Sequence, residues 1–542
     1  MLKLALFSFS FTLLLFCAPA IAQETDPYGD YSYLWPNKDK KKKKSKKKVE
    51  NPPAPVLTVA SDTIPPLDSL QTDSLSTEDV LPTDTTDNYY DDPFGEGIAK
   101  EPKEKKEAQP IQDFRTPLSS EVGSGSFVGG FTFTRINGEN FAGLVLSPEF
   151  SIGKVGVGLN VPILYGLESQ KVRTEIFQDG VGAARLIRYI RYGQQKVDPV
   201  YIKVGEIDGL MLGYGGLINN YTNTISFEKR KVGLHTDFNY EGVVGIEAMY
   251  SDFDPASQNL LAIRPYVRPL SKTPIPVART LEFGATFVSD KDQTDIPLTD
   301  STTSKYIFTA EGINAFGLDM GITVFRSPFV QIDLFANYSR LNVLSDTLRS
   351  VAAFLGETNL QKGSGTSFGA NFRMHFIADI FSTDVRIERL SYTENYLPQF
   401  FDATYELEKD ARIFNVVSAA KTNGIYGSLT GHVLQKVQLG GSLLIPDDVS
   451  ETAPALVRVH ADLERLLDKY SLHASYTKTN LNELKDVFSF DERSLAKISF
   501  IYHMNRFLAT GVEYYYFWEP GPTGDLEVNR YIMPYFGLNI DF

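Results

Sequence analysis

The stretch "VQIDLFANYS", Val330 to Ser339, alternates in chemistry at every step. Val330, Ile332, Leu334, Ala336 and Tyr338 share one face, and Gln331, Asp333, Asn337 and Ser339 share the other, with Phe335 as the exception. Successive side chains of an extended strand point to opposite faces, so this period of two predicts a strand with one apolar and one polar side. The texture recurs along the chain. Leu281, Phe283, Ala285 and Phe287 oppose Glu282, Gly284 and Thr286. Val457, Val459, Ala461 and Leu463 oppose Arg458, His460, Asp462 and Glu464, while Tyr470, Leu472, Ala474 and Tyr476 oppose Ser471, His473, Ser475 and Thr477.

The spacing of these segments carries as much information as their pattern. They run to roughly ten to twelve residues, the length a tilted strand needs to cross a bilayer. Their connections alternate between tight and long. Tight ones include "GK" at 153–154, "RSP" at 326–328 and the "MN" before Arg506; long ones include 164–183, 289–303, 341–364, 391–410 and 479–493. Several polar faces carry full charges, which would be costly between two packed sheets but suit a wet lumen. Backbone groups in lipid have no water to bond, so such a sheet must close on itself. The fold class read from the sequence is therefore all-β, a closed antiparallel transmembrane β-barrel. At ~24 residues per strand and turn it has roughly 16 to 22 strands. Composition agrees: Tyr (28), Phe (37) and Gly (41) are abundant in a chain of 542 residues. These types favour strands and their turns. The run Tyr514-Tyr515-Tyr516-Phe517-Trp518 fits an interfacial aromatic girdle.

Residues 1–22 read as a secretory signal peptide. Lys3 opens it, Leu4 to Phe16 form an apolar core too short to span a bilayer, and Ala20-Ile21-Ala22 offers a small-x-small cleavage site. The single cysteine, Cys17, lies within it, so the mature chain is expected to hold no disulfide and no thiol chemistry. Residues 23–124 lack any apolar period. They carry the run "KDKKKKKSKKK", a Pro/Ser/Thr/Asp-rich stretch and the mixed-charge "KEPKEKKEAQP". Such a segment cannot bury enough apolar area to offset its ordering entropy, and it is expected to be a disordered tail. Residues 125–542 are the barrel.

The end of the chain sharpens the class. "YIMPYFGLNIDF" places Ile532, Pro534, Phe536, Leu538, Ile540 and Phe542 on one face, with phenylalanine last. This resembles the C-terminal signal of Gram-negative outer-membrane β-barrel proteins, which are porin-like. The resemblance implies that Phe536, Leu538, Ile540 and Phe542 are the assembly signal read by the barrel-assembly machinery. It also implies an outer-membrane location with the tail in the periplasm. Pro534 departs from the pattern, because it lacks a ladder donor and belongs at an edge or bulge.

Candidate functional residues follow from the inward faces. Arg373 and His375, then Asp384, Arg386 and Glu388, then Arg458, His460, Asp462 and Glu464 are expected to line the lumen. There they could select solutes by charge, or pair across strands and fill the interior. None of the six histidines belongs to a HExxH motif, and no metal, cofactor or catalytic set is expected. "GLMLGYGGLINNYTNT", 209–224, breaks the strand rhythm and reads as a bulged strand or an inward-folded loop narrowing the pore, or else an ordinary long turn.

In the tail, Lys40, Lys41, Lys42, Lys43, Lys44, Lys46, Lys47 and Lys48 are candidate contacts with anionic lipid, peptidoglycan or an acidic periplasmic protein. Each lysine near an anionic surface contributes ~1 kcal/mol; a solvated spacer is the alternative. Tyr28 and Phe94 sit in a repeated Asp-Pro-aromatic-Gly-acid element that could dock a partner. An exported chain meets no nucleic acid. The expected activity is passive or facilitated passage of a small solute through the lumen, and not catalysis. The rival is a structural or assembly component whose tail tethers a periplasmic partner.

Overall fold

The computed structural model describes residues 126–541, apart from 137–138, 175–179, 225–229, 255–258, 292–293, 300–304, 311, 344–361, 378–379, 435, 451, 492, 506 and 521–525. The signal peptide and the tail therefore lie outside the described residues, as does the terminal Phe542. With the tail go all of its candidate contacts: Tyr28, Lys40, Lys41, Lys42, Lys43, Lys44, Lys46, Lys47, Lys48 and Phe94.

Strand pairing follows chain order around a ring. Each wall strand pairs antiparallel with the next, the hairpin Thr294–Thr299 with Lys305–Ala310 standing outside the wall sheet, and the first strand, Ser126–Ile136, closes onto the last, Leu526–Asp541. Twenty-one segments share this sheet. Val155–Leu159 and Val161–Gly166 are separated by Asn160 alone and act as one wall strand, so the barrel has twenty strands. A closed ring has no free edge, which is the only way a sheet satisfies its backbone in hydrocarbon.

The connections sort by length onto two ends. Tight turns such as 153–154, 327–329 and 504–507 lie at the end that also holds Ser126 and Asp541. Long connections, including 167–186, 206–232, 393–421 and 482–493, lie at the other. The connection 268–281 is the one extended excursion at the turn end among the described residues. The wall is also lopsided. Strands such as Ile187–Tyr192 and Val200–Gly205 have 6 residues, while Ile313–Arg326, Val330–Val343 and Ser364–Ile377 have 14.

The alternation read from the sequence separates outside from inside. On Glu282–Asp290, Phe283 and Phe287 point outward and are exposed, while Glu282, Thr286 and Asp290 are buried within. On Val330–Val343, Gln331, Asp333, Asn337 and Ser339 are buried inside. Phe131 is 70 % exposed and Phe368 62 %, values that only a lipid-facing wall makes sense of. The run 514–518 departs from a simple girdle. Tyr515 turns to the lumen against Lys497, and Tyr516, Phe517 and Trp518 are all buried, Tyr516 beneath Phe490 of the 482–493 connection. A girdle read from composition cannot anticipate a loop that folds over the outer wall.

The closing seam is short. Ser126 to Thr132 pair with Asp541 to Tyr535, and the ladder stops there. Its register would next bring Phe133 to Pro534. The Phe536 carbonyl approaches Gly130, so the even positions of the last strand present their backbone to the first strand. Pro534 is the next such position and has no N–H to give. The proline therefore sits at the end of a ladder, which is where its chemistry belongs.

Candidate functional site

Two long connections fold into the lumen and meet there. The first is the glycine-rich 206–224. It doubles back as a narrow loop, with Leu210 and Tyr221 exchanging backbone hydrogen bonds of 2.9 Å each way. Gly213 and Gly215 at its tip have φ of 57° and 73°, left-handed values that cost glycine little. Asn223 secures the base: its Oδ1 accepts from the Ile207 N–H at 2.8 Å, and its Nδ2 donates to the Ser251 carbonyl at 2.9 Å.

The tip reaches the far wall. The Tyr214 ring stacks on Phe335, with centroids 5.0 Å apart and planes within 6°. The Arg386 guanidinium lies over the Phe335 ring at 4.4 Å and donates to the Tyr214 carbonyl at 2.6 Å. Phe335, the apolar exception in an otherwise polar face, is thus the seat of the loop. A Cβ on Gly321 would collide with the Tyr214 hydroxyl, so the wall keeps a glycine where the loop lands. The Gly213 N–H donates to Glu247 at 3.2 Å.

Glu247 belongs to a buried charge network beneath the tip. Arg264 is 1 % exposed and donates to Asp319 Oδ2 at 2.9 Å, Glu247 Oε2 at 3.1 Å and Glu282 Oε1 at 2.7 Å. Arg268 adds a 2.9 Å bond to Glu282, and Lys196 pairs with Glu247 and with Asp237. Three cations thus face four carboxylates. Isolated, any of these charges would be too costly to bury; together they satisfy one another.

The second inward connection is 393–421, which contains the helix Tyr405–Ser418. It joins the first through backbone bonds: Asn219 N–H donates to the Phe401 carbonyl and Phe401 N–H to the Leu217 carbonyl, both at 3.1 Å. Around this junction Ile218, Tyr221, Phe400, Phe401 and Tyr405 form an apolar core inside the barrel. Charged latches fix the helix to its surroundings. Asp402 accepts from Arg412 and from the wall residue Arg458, both at 2.8 Å, and Arg458 also donates to Gln399 at 3.1 Å. Asp290 on the wall takes Tyr405 and Lys409, both at 2.8 Å. Glu406 accepts from Tyr221 at 2.5 Å and from Lys231 at 2.7 Å.

Burial raises the Asp402 carboxyl, but Arg412 and Arg458 more than offset it and hold the group below its ordinary 3.8. A depressed carboxylate stabilises the fold above its unfolded value, and that stability is lost as pH falls through the lower folded value. The latch should therefore outlast acidification to pH 3.8 and release only below it. Hydrogen exchange of residues 395–418 followed down the pH scale checks this; loss of protection at or above the ordinary carboxylate range would contradict it.

The expected lumen residues divide by what they touch. Arg386 and Glu388 are buried together, with an Nη2–Oε2 distance of 2.6 Å, and hold the first loop. Arg458 holds the second. Arg373 and Asp384 pair at 2.8 Å near the turn end, with His432 3.5 Å from the same carboxylate. His375 is half-buried near them, opposite Ser382. Asp462 accepts from His473 at 3.1 Å, and His460 lies 3.4 Å from Gln438. The Glu464 side chain lies outside the described ones, as do those of Leu538 and Ile540; Phe536 is exposed on the outer face. The helix and its latches Asp402, Glu406 and Arg412 were not among the sequence candidates.

The space left beside the first loop is small and lined by both polar and apolar side chains. Two adjoining small hollows share Gly216, Asn337 and Ser339 in their linings. Thr286 and Asp319 line one, and Thr366, Ser367, Glu388 and Gln399 the other. Among the described residues no group of His, Cys, Asp and Glu is placed to hold a metal ion.

No protein-family model matches the chain, and no curated protein does. Among solved structures, Acinetobacter baumannii OccAB4 aligns at 9 % identity and TM-score 0.31, over 79 % of this chain and 100 % of its own. The outer membrane protein OprD from Pseudomonas aeruginosa aligns at 9 % identity and TM-score 0.30, over 78 % and 94 %. OccK11 (OpdR) of Pseudomonas aeruginosa aligns at 10 % and 0.29, over 78 % and 96 %. On its own geometry, a closed twenty-strand antiparallel ring with an exposed apolar exterior and a charged interior, the chain is a transmembrane β-barrel.

Proposed function

We propose that the barrel is a channel for small hydrophilic solutes, with the two inward connections as its constriction. The observation that carries this is the lumen itself. It is lined by charged and hydroxyl groups, and the two loops that cross it meet at an apolar junction and are latched to the wall by ion pairs and hydrogen bonds. A barrel serving only as an anchor gains nothing from such an interior, whose buried charges carry a desolvation cost. The hydroxyl, amide and carboxylate groups of Thr286, Asn337, Ser339, Ser367 and Glu388 beside Gly216 suit a solute that exchanges its water for such partners.

The folded full chain reconstituted in planar bilayers should give small, discrete conductance steps. Proteoliposomes carrying it should swell in small neutral sugars and not in larger ones. Verified folded barrels that remain electrically silent, with no swelling, would sink the channel reading.

A further inference from the structure

Among the described residues, neighbouring wall strands stop pairing in several places, and two of these are treated differently. Val161–Gly166 pairs with Phe141–Leu146 on one side only, but its other edge is covered. There the Gly166 N–H donates to the Lys171 carbonyl at 2.9 Å and the Arg173 N–H to the Leu164 carbonyl at 2.8 Å. The closing seam has no such cover among the described residues. Beyond Thr132 and Tyr535, Phe133 to Ile136 pair only with the second strand, and Leu526 to Pro534 only with the strand Leu508–Pro520.

Both sides of this split are apolar. Outside stand Phe133, Ile532 and Pro534, exposed at the level of Ala142 and Tyr165, near the edge of the lipid-facing band. Inside, Met533 is buried, and Phe141 and Leu164 cluster with Phe517 and with Leu407 of the lumen helix, a group distinct from the apolar core at the loop junction. Thr132 and Thr134 face this interior with their hydroxyls buried and without a hydrogen-bond partner. Each such group is a cost unless a partner arrives.

We propose that the split seam is a lateral passage between the bilayer and this apolar part of the lumen, and that it takes a single-chain amphiphile. The chain of such a molecule would lie across Phe133 and Pro534 onto Phe141 and Met533. Its polar head would meet the Thr132 and Thr134 hydroxyls. The passage is separate from the axial route proposed above, and Pro534 keeps it open by withholding the donor that would extend the ladder.

The test uses the folded full chain in nanodiscs and a diazirine-bearing palmitic acid, with adducts located by mass spectrometry. The wild type should carry adducts on the lumen side, at Phe141, Leu164 or Met533. Phe133→Cys with Pro534→Cys, oxidised to a disulfide, should lose them and regain them on reduction. Pro534→Val, which returns the missing N–H, should weaken them. Lumen-side adducts that persist in the oxidised pair, or adducts in the wild type confined to the outward residues Ile532 and Phe536, would overturn the passage. Conductance of the oxidised pair should match the wild type, so failure of the axial channel and failure of the lateral passage are read separately.

Discussion

Replacing Phe401–Ser418 with a short Gly-Ser linker should convert a constricted barrel into a wide one. That segment supplies the apolar junction with the 206–224 loop and the latches on Asp290, Arg458 and Glu406. The wall should survive its removal, because the ladders run from strand to strand without it. Barrels of roughly 16–18 strands already enclose an aqueous channel when nothing folds inward. Single-channel conductance should therefore rise severalfold, to that of an open porin-sized pore. Arg458→Ala, which removes one latch, should give an intermediate, noisier state. A conductance unchanged by the deletion would show that the barrier lies elsewhere in the lumen.

Arg264→Met should be the most damaging single substitution in the wall. The guanidinium is fully buried and answers Glu247, Glu282 and Asp319. Without it, four carboxylates including Asp237 would face only Lys196 and Arg268. Breaking a buried ion network by removing one partner typically costs ~3–5 kcal/mol, because the remaining charges stay buried. Urea unfolding in detergent, read as loss of the compact band in unheated electrophoresis, should show a midpoint well below the wild type. Glu282→Gln added to Arg264→Met should recover part of the loss, since it removes a stranded charge and keeps the shape. An unchanged midpoint for Arg264→Met would mean the network adds nothing.

The wall was legible in the sequence because a strand states its two environments residue by residue. The stretches 330–339 and 281–288 read correctly on both faces, Phe335 apart, and the alternation of tight and long connections gave the two ends. What filled the wall was less legible. Arg386, Glu388 and Arg458 were picked out as inward charges, but their role as loop anchors depends on Tyr214 and Asp402, partners 172 and 56 residues away. Phe335 broke its pattern for a partner no local window contains. The lumen helix escaped for a different reason. Its buried positions include Tyr405, Lys409, Arg412 and Val416, a helical period in which two members are cations. A search for apolar periodicity passes over a helix whose hidden face is held by ion pairs.

The lopsided wall has a consequence for the membrane around it. A strand of 6 residues rises about 20 Å along its own axis, and less along the bilayer normal once tilted, against an apolar band of ~25 Å. Strands of 14 residues further round the ring exceed that height comfortably. The bilayer can meet both only by pinching beside Ile187–Tyr192 and Val200–Gly205, or by letting the barrel lean so that its short side sinks. Lipid order would then differ around the circumference. The thinned flank would be the place where shorter-chain lipids, or a neighbouring barrel with a similar deficit, settle at least cost.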